Sequence, residues 1–319
     1  MLALSNDAKG NIHLVYGTGD SLLYATSTDK GKSFSKSELI KVIDGLAANA
    51  TRGPQIAVTR TGLNVIAATD AGNIWSFTKN NQGNWSNGNR VNDVDSVNLE
   101  GFVDVVSDGA SNLFAVWLDL RGNKRNKLYG ARSSDGGNTW TSNIKVYESP
   151  DSTICECCRV SAAMKGDNVY VMFRNQLYGK RDLHLIASTD AGRTFGKAEK
   201  LGTGTWTLKG CPMDGGGITL DSDGKVETVW RRESKICSCS PGRPEIEIGE
   251  GKGCTIENVN GKNVFAWVKN GEVVCKLPDH SIINLGKGNS PALKGVGKNQ
   301  VVCVWENEKQ LYSSVIQFQ

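Results

Sequence analysis

The sequence predicts an all-β fold built from a repeated unit, and two periodic patterns carry this prediction. Short apolar or alternating runs recur along all 319 residues, and no stretch shows a helical period. Each run follows a turn that contains Gly or Asn. The runs are Asn11–Tyr16, Leu63–Ala67, Leu113–Trp117, Val169–Phe173, Val226–Trp230, Val264–Val268 and Val301–Trp305. An extended segment precedes most of them, so each run is predicted to be the second strand of its unit.

The repeated units begin near residues 1, 53, 102, 157, 211, 253 and 290. A spacing of about 50 residues is typical of the four-stranded blades of a β-propeller. The sequence therefore predicts one propeller domain, residues 1–319, with seven blades. Six blades are the alternative, if the short C-terminal units merge or the termini complete one blade together.

A second repeat has the pattern Ser-x-Asp-x-Gly-x-Ser/Thr-aromatic. It occurs at 27–34, 133–140 and 188–195, with a degenerate copy at 78–85. In a tight hairpin the Asp accepts hydrogen bonds from the turn, and the Gly takes a positive φ. The pattern resembles the Asp-box, or BNR repeat, of the sialidase-like propeller superfamily. The resemblance implies that these hairpins are structural and join strands three and four, away from the active face.

The order of strands in a blade divides the connections between two faces. The segment leading into strand one and the loop between strands two and three share one face, called the top here. Seven of the nine cysteines are predicted to converge on the top face, at the mouth of the channel: Cys155, Cys157, Cys158, Cys211, Cys237, Cys239 and Cys254. Cys275 and Cys303 lie inside strand patterns and are predicted to be core residues.

Two chemistries are open for these seven cysteines. The dense segment Cys155-Glu156-Cys157-Cys158-Arg159 suits a thiolate metal cluster, with copper favoured and zinc possible. No histidine accompanies it, and paired Cys-x-x-Cys zinc spacing is absent. The alternative is structural disulfides, for instance Cys155 or Cys157 to Cys211, and Cys237 or Cys239 to Cys254. We favour the metal, because a fold already closed by seven blades gains little from stapling three of them.

Arginines on the same face predict a site for a small anionic ligand such as a glycan. The candidates are Arg52, Arg159, Arg174 and Arg231. Arg52-Gly53-Pro54 resembles the Arg-Ile-Pro segment of sialidases, in which three arginines bind the substrate carboxylate. The resemblance implies a sialidase-like glycoside hydrolase or an anionic-glycan-binding propeller as the alternative function. No Tyr–Glu nucleophile pair can be assigned, so no catalytic residue is predicted.

Composition excludes several classes of partner. The 37 basic residues nearly balance 33 acidic ones, which argues against a nucleic-acid partner. No apolar run reaches the ~20 residues of a membrane span. Nine cysteines are typical of an oxidising compartment or of a metal site, so we expect a secreted or periplasmic protein. A signal peptide is not recognisable in the chain.

Overall fold

The computed structural model of the protein describes residues 1–49, 51–151 and 153–319. It contains seven antiparallel sheets that follow one another in chain order, one for each predicted unit. The prediction of seven blades is confirmed, and the alternative of six is wrong. All seven runs singled out in the sequence are second strands of their blades.

The first four blades each contain four strands in simple up-and-down order, and the fourth carries one additional short strand. Their strands are β1 (Leu2–Asn6), β2 (Ile12–Thr18), β3 (Ser21–Ser27) and β4 (Glu38–Val42); β5 (Gln55–Thr59), β6 (Gly62–Ala68), β7 (Ile74–Asn80) and β8 (Asn89–Arg90); β9 (Val103–Ser107), β10 (Leu113–Asp119), β11 (Lys127–Ser133) and β12 (Ile144–Tyr147); and β13 (Thr153–Ile154), β14 (Ser161–Lys165), β15 (Asn168–Leu177), β16 (Lys180–Ser188) and β17 (Glu199–Lys200).

The last three blades have four, four and three strands. They are β18 (Gly217–Leu220), β19 (Val226–Arg232), β20 (Lys235–Cys239) and β21 (Ile246–Glu250); β22 (Lys252–Val259), β23 (Lys262–Lys269), β24 (Glu272–Lys276) and β25 (Ile282–Lys287); and β26 (Asn289–Gly297), β27 (Gln300–Asn307) and β28 (Gln310–Gln317). The first strand of each blade contacts the first strand of the next, and β26 contacts β1. The seven sheets therefore form a closed ring around a channel.

The core lies between neighbouring blades. The second strand of a blade is covered on both faces, so its residues form a nearly continuous apolar run. In β10 all seven residues are buried, and Trp117 belongs to the same apolar cluster as Ile66 of the preceding blade. The outermost strand β4, by contrast, has only Ile40 buried. Among the described residues there is no helix long and apolar enough to cross a membrane.

The Ser-x-Asp-x-Gly turns all join the third and fourth strands of their blades. Asp135 accepts hydrogen bonds from Ser133 Oγ at 2.7 Å and from the Thr139 amide at 2.9 Å. Asp29 and Asp190 make the equivalent bonds in the other two turns. A Cβ on Gly192 would lie 2.4 Å from the Phe114 ring of the neighbouring blade. These turns are therefore packed structural elements on the bottom face.

Candidate functional site

The Cys155–Arg159 segment is held at the top of the fourth blade by an extended hairpin. β15 and β16 are ten and nine residues long, so they project beyond β14. β13 pairs with this projecting end of β15, and the Cys155 amide then donates to the Arg174 carbonyl at 2.9 Å. The chain turns directly afterwards, which brings three cysteines to one point.

The Sγ atoms of Cys155, Cys157 and Cys158 all lie within 4.8 Å of one another. Cys155 Sγ is 3.6 Å from Cys157 Sγ and 3.4 Å from Cys158 Sγ. Cys157 forms a disulfide with Cys211, which lies in the segment leading into the fifth blade. We call these four residues the sulfur cluster. The disulfide is one of the pairings expected under the alternative chemistry.

Charge around the sulfur cluster favours one thiolate. The hydrogen bond with Cys158 lowers the pKa of Cys155 to about 7, against the effect of burial, with help from the Arg181 and Arg174 guanidinium groups. Arg181 Nη1 donates to Cys155 Sγ at 3.0 Å. Burial and the neighbouring Cys155 raise the pKa of the Cys158 thiol well above its usual value. Near neutral pH the pair can therefore hold one negative sulfur and one proton.

Cys237 and Cys239 are not part of the sulfur cluster, and their predicted place at the channel mouth is wrong. The turn between β19 and β20 contains only Glu233 and Ser234, so both cysteines lie within β20. They pack against Met172 and other apolar residues between blades four and five. The side chains alternate along a strand, so residues two apart share a face, and this face is turned into the core.

The remaining free cysteines are also core residues. Cys254 lies in β22 among apolar side chains between blades five and six, although it borders the channel cavity described below. The predicted disulfide from Cys254 to Cys237 or Cys239 is not formed. Cys275 and Cys303 are fully buried between blades six and seven, as predicted.

A cavity of about 610 Å³ opens beside the disulfide at the top of the channel. Its lining includes Arg159, Arg231, Asp214, Asp104 and Cys211. Desolvation raises the pKa of Asp104 to about 6, although Arg159 opposes the shift. Arg231 Nη1 is 3.9 Å from Asp214 Oδ2, and its Nε is buried with no hydrogen-bond partner. The lining of the cavity thus contains both cationic and acidic groups.

Only two of the four predicted arginines border this cavity. Arg174 is 1% exposed and donates to the carbonyl oxygens of Arg181, Asp214 and Arg231, which leaves it no surface for a ligand. Arg52 donates to the Glu100 carbonyl and is not among the residues that line the cavity. The three-arginine site implied by the sialidase resemblance is therefore not assembled here, and no tyrosine occurs among the described lining residues.

Sequence reasoning missed the role of Arg181 and the aromatic partner of the arginines. Trp206 lies under both Arg174 and Arg231, with guanidinium carbons 5.3 and 5.4 Å from the ring centroid. Arg181 follows the turn of the β15–β16 hairpin opposite Gln176. The register of that hairpin, if read from the sequence, would have set Arg181 opposite Gln176. Arg181 would then have been predicted to lie near β13, which pairs with the other edge of Gln176. No sequence signal places Trp206.

The chain matches no protein-family model and no curated protein. It is similar to the BP39L lectin from Burkholderia pseudomallei, with a TM-score of 0.75, 10% identity, and 99% of this chain and 95% of that chain covered. It is also similar to a PL25 ulvan lyase of a polysaccharide lyase family, with a TM-score of 0.62, 10% identity and coverage of 98% and 91%. The Aleuria aurantia lectin AAL gives a TM-score of 0.57, 10% identity and coverage of 91% and 95%.

At 10% identity these likenesses concern the fold alone. They confirm the β-propeller fold. The protein is a seven-bladed β-propeller with a sulfur cluster across blades four and five.

Proposed function

We propose that the protein binds a thiophilic metal ion, Cu(I) in preference to zinc, through Cys155, Cys157 and Cys158. The observation that carries this proposal is the convergence of three Sγ atoms within 4.8 Å. Thiolates bound to one tetrahedral zinc ion at ~2.3 Å would lie about 3.8 Å apart. The contacts of 3.6 and 3.4 Å from Cys155 Sγ are close to that spacing. Little movement is needed to hold an ion.

The ligand set and its surroundings favour copper. Thiolates are soft ligands that suit both Cu(I) and zinc, and the close Cys-x-Cys-Cys spacing suits a multinuclear copper–thiolate cluster better than a single tetrahedral ion. The pKa of Cys155 near 7 makes one thiolate available at neutral pH, and the Arg181 and Arg174 charges offset the negative charge that binding would gather. Cys157 can ligate only as a thiolate, so the metal-binding form is the one in which the Cys157–Cys211 disulfide is reduced. Cys211 then supplies a fourth sulfur.

The disulfide itself supports the export that the cysteine count predicts. Bonds of this kind persist in oxidising compartments and are rare in the cytosol. We therefore propose that the protein is periplasmic or secreted, where reduction of the disulfide would depend on a local thiol. Fractionation of the source cells, with immunodetection of the chain, tests this assignment.

The metal proposal is tested by competition for Cu(I) between a chromophoric chelator and the reduced, metal-free protein without oxygen. Cys158→Ala should weaken Cu(I) binding by more than about tenfold. Removal of a residue that only hydrogen-bonds to a metal ligand already costs at least that much affinity. Cys303→Ala is the matched control, because Cys303 is an equally buried free thiol outside the sulfur cluster. Equal affinity in wild type and Cys158→Ala, or no competition by wild type, would contradict the proposal.

A second candidate function is binding of an anionic glycan in the 610 Å³ cavity. The buried Nε of Arg231 has no hydrogen-bond partner, which favours this function. A carboxylate or sulfate group of the glycan would accept a hydrogen bond from it. The ulvan lyase is recorded bound to a glucuronate-containing saccharide, and BP39L is a lectin. Calorimetry with uronate and sialate oligosaccharides on wild type and Arg231→Met tests this function. Equal heats for both proteins would exclude it.

A further inference from the structure

The Cys157–Cys211 disulfide lies in contact with one free thiol, which itself contacts a second. Cys155 Sγ is 3.6 Å from the bonded sulfur of Cys157, and Cys158 Sγ is 3.4 Å from Cys155 Sγ. Disulfides rearrange when a thiol sulfur attacks a bonded sulfur, so contact of this kind is the geometric requirement for exchange. We propose that these four cysteines form an internal thiol–disulfide relay, which moves the disulfide between the Cys157–Cys211 pair and the Cys155–Cys158 pair.

The first step is attack of Cys155 on Cys157. The Cys155–Cys157 bond forms, the Cys157–Cys211 bond breaks, and Cys211 leaves with the electron pair and takes up the proton that Cys155 loses. Arg181 Nη1, at 3.0 Å from Cys155 Sγ, stabilises negative charge on the attacking sulfur. Cys211 is solvent-exposed, so water stabilises the leaving thiolate.

The second step is attack of Cys158 on Cys155. The Cys155–Cys158 bond forms, Cys157 leaves, and the proton of Cys158 passes to Cys157. One disulfide and two thiols are present before and after the two steps, so the relay needs no external oxidant or reductant. Cys155-Glu156-Cys157-Cys158 contains a Cys-x-x-Cys pair, the spacing used by dithiol oxidoreductases. The final disulfide is therefore one that this segment can close.

The relay connects a buried pair to an exposed sulfur. Cys155 and Cys158 are 0% and 2% exposed, whereas Cys211 is exposed. External molecules of the thiol class, such as a dithiol, reach the sulfur cluster through Cys211. One thiol of the dithiol attacks Cys211 and releases Cys157. The second thiol of the dithiol then attacks the mixed disulfide, which releases Cys211 and leaves the external molecule as a disulfide. In the fully reduced protein, Cys211 can instead attack an external disulfide and release one external thiol. Cys157 then attacks Cys211, the second external thiol leaves, and the relay passes the new Cys157–Cys211 disulfide to the buried pair. The buried pair thus exchanges two electrons with substrates that it never touches.

The test locates the disulfide in chelator-washed, oxidised protein. Samples are quenched in acid, free thiols are alkylated in denaturant, and the chain is cleaved after Glu156 and Arg159, which separates Cys155 from Cys157 and Cys158. Wild type should contain two isomers, one with Cys157–Cys211 and one with Cys155–Cys158 and an alkylated Cys211. Cys155→Ser should lose all alkylation at Cys211, because the first attack is impossible. Cys303→Ala should match wild type.

A second variant keeps the proposal open to refutation if Cys155→Ser does not fold. In Cys211→Ser, oxidised glutathione should produce the Cys155–Cys158 disulfide, whereas a glutathione adduct on Cys157 as the sole product would overturn the relay. A single Cys157–Cys211 isomer in wild type, or unchanged Cys211 alkylation in Cys155→Ser, would overturn it as well. Chelator is present throughout, so this result is independent of the Cu(I) competition described above.

Discussion

Removal of the Cys157–Cys211 disulfide gives a prediction whose magnitude follows from the chain path. The bond joins residues 54 apart in sequence and closes that loop in the unfolded chain. Loop-closure entropy for this length corresponds to about 4 kcal/mol at 25 °C. Cys211→Ser should therefore lower the free energy of unfolding of the oxidised protein by up to this amount. The Cys155–Cys158 pair cannot compensate, because its loop spans only three residues.

Urea unfolding followed by tryptophan fluorescence measures this difference. The control uses the same two proteins in excess dithiothreitol, where wild type also lacks the bond and the two curves should coincide. A difference of less than about 1 kcal/mol in the oxidised state lies below the usual range for such bonds and would refute the entropic reasoning. A difference that persists under reduction would assign the loss to side-chain contacts of Cys211 instead.

Three further predictions concern titration and packing. The pKa of Cys155 is about 7 with the Cys157–Cys211 disulfide formed, against 9.0 for a free thiol, so the unfolded chain holds more protons between pH 7 and 9. Stability should therefore rise with pH there, and Cys155→Ser should remove that rise in urea titrations of the oxidised protein. The pH dependence has the opposite sign for Asp104, whose pKa is raised from 3.8 to about 6. Stability should fall as pH rises across that range, and Asp104→Asn should flatten the same titration. Gly192→Ala should lower the thermal midpoint of unfolding further than Gly83→Ala. Both residues have positive φ, but only Gly192 adjoins an aromatic ring, that of Phe114. Equal shifts in the midpoint would show that the Phe114 contact is unimportant.

The blade architecture was predictable because its signals are local and repeated. Each blade needs an apolar second strand, since neighbouring blades cover both of its faces, and each such run is visible in the sequence. The Ser-x-Asp-x-Gly turns bond within themselves, as at Asp135, so they keep the same pattern wherever they occur. Counting these units was sufficient to predict seven blades.

The candidate site was predictable only where spacing is short. Cys155, Cys157 and Cys158 must lie together because they fall within four consecutive positions. The pairing of Cys157 with Cys211 was one of the alternatives. Cys237 and Cys239 were misplaced because the length of one hairpin turn decides whether they lie in a loop or a strand. A two-residue turn places them in β20, where they pack in the core.

The sequence by itself determined a ring of seven blades and a dense group of sulfurs at the start of the fourth. The tertiary structure decided which partner each sulfur and each guanidinium has. Arg174 and Arg231 look alike in sequence, yet Arg174 donates to three carbonyl oxygens in the interior, while Arg231 borders the cavity. The reason is physical: strand period and turn chemistry act over a few residues, whereas the bonds from Arg174 to Asp214 and Arg231 join residues 40 and 57 positions apart, which come together only when blades four and five pack.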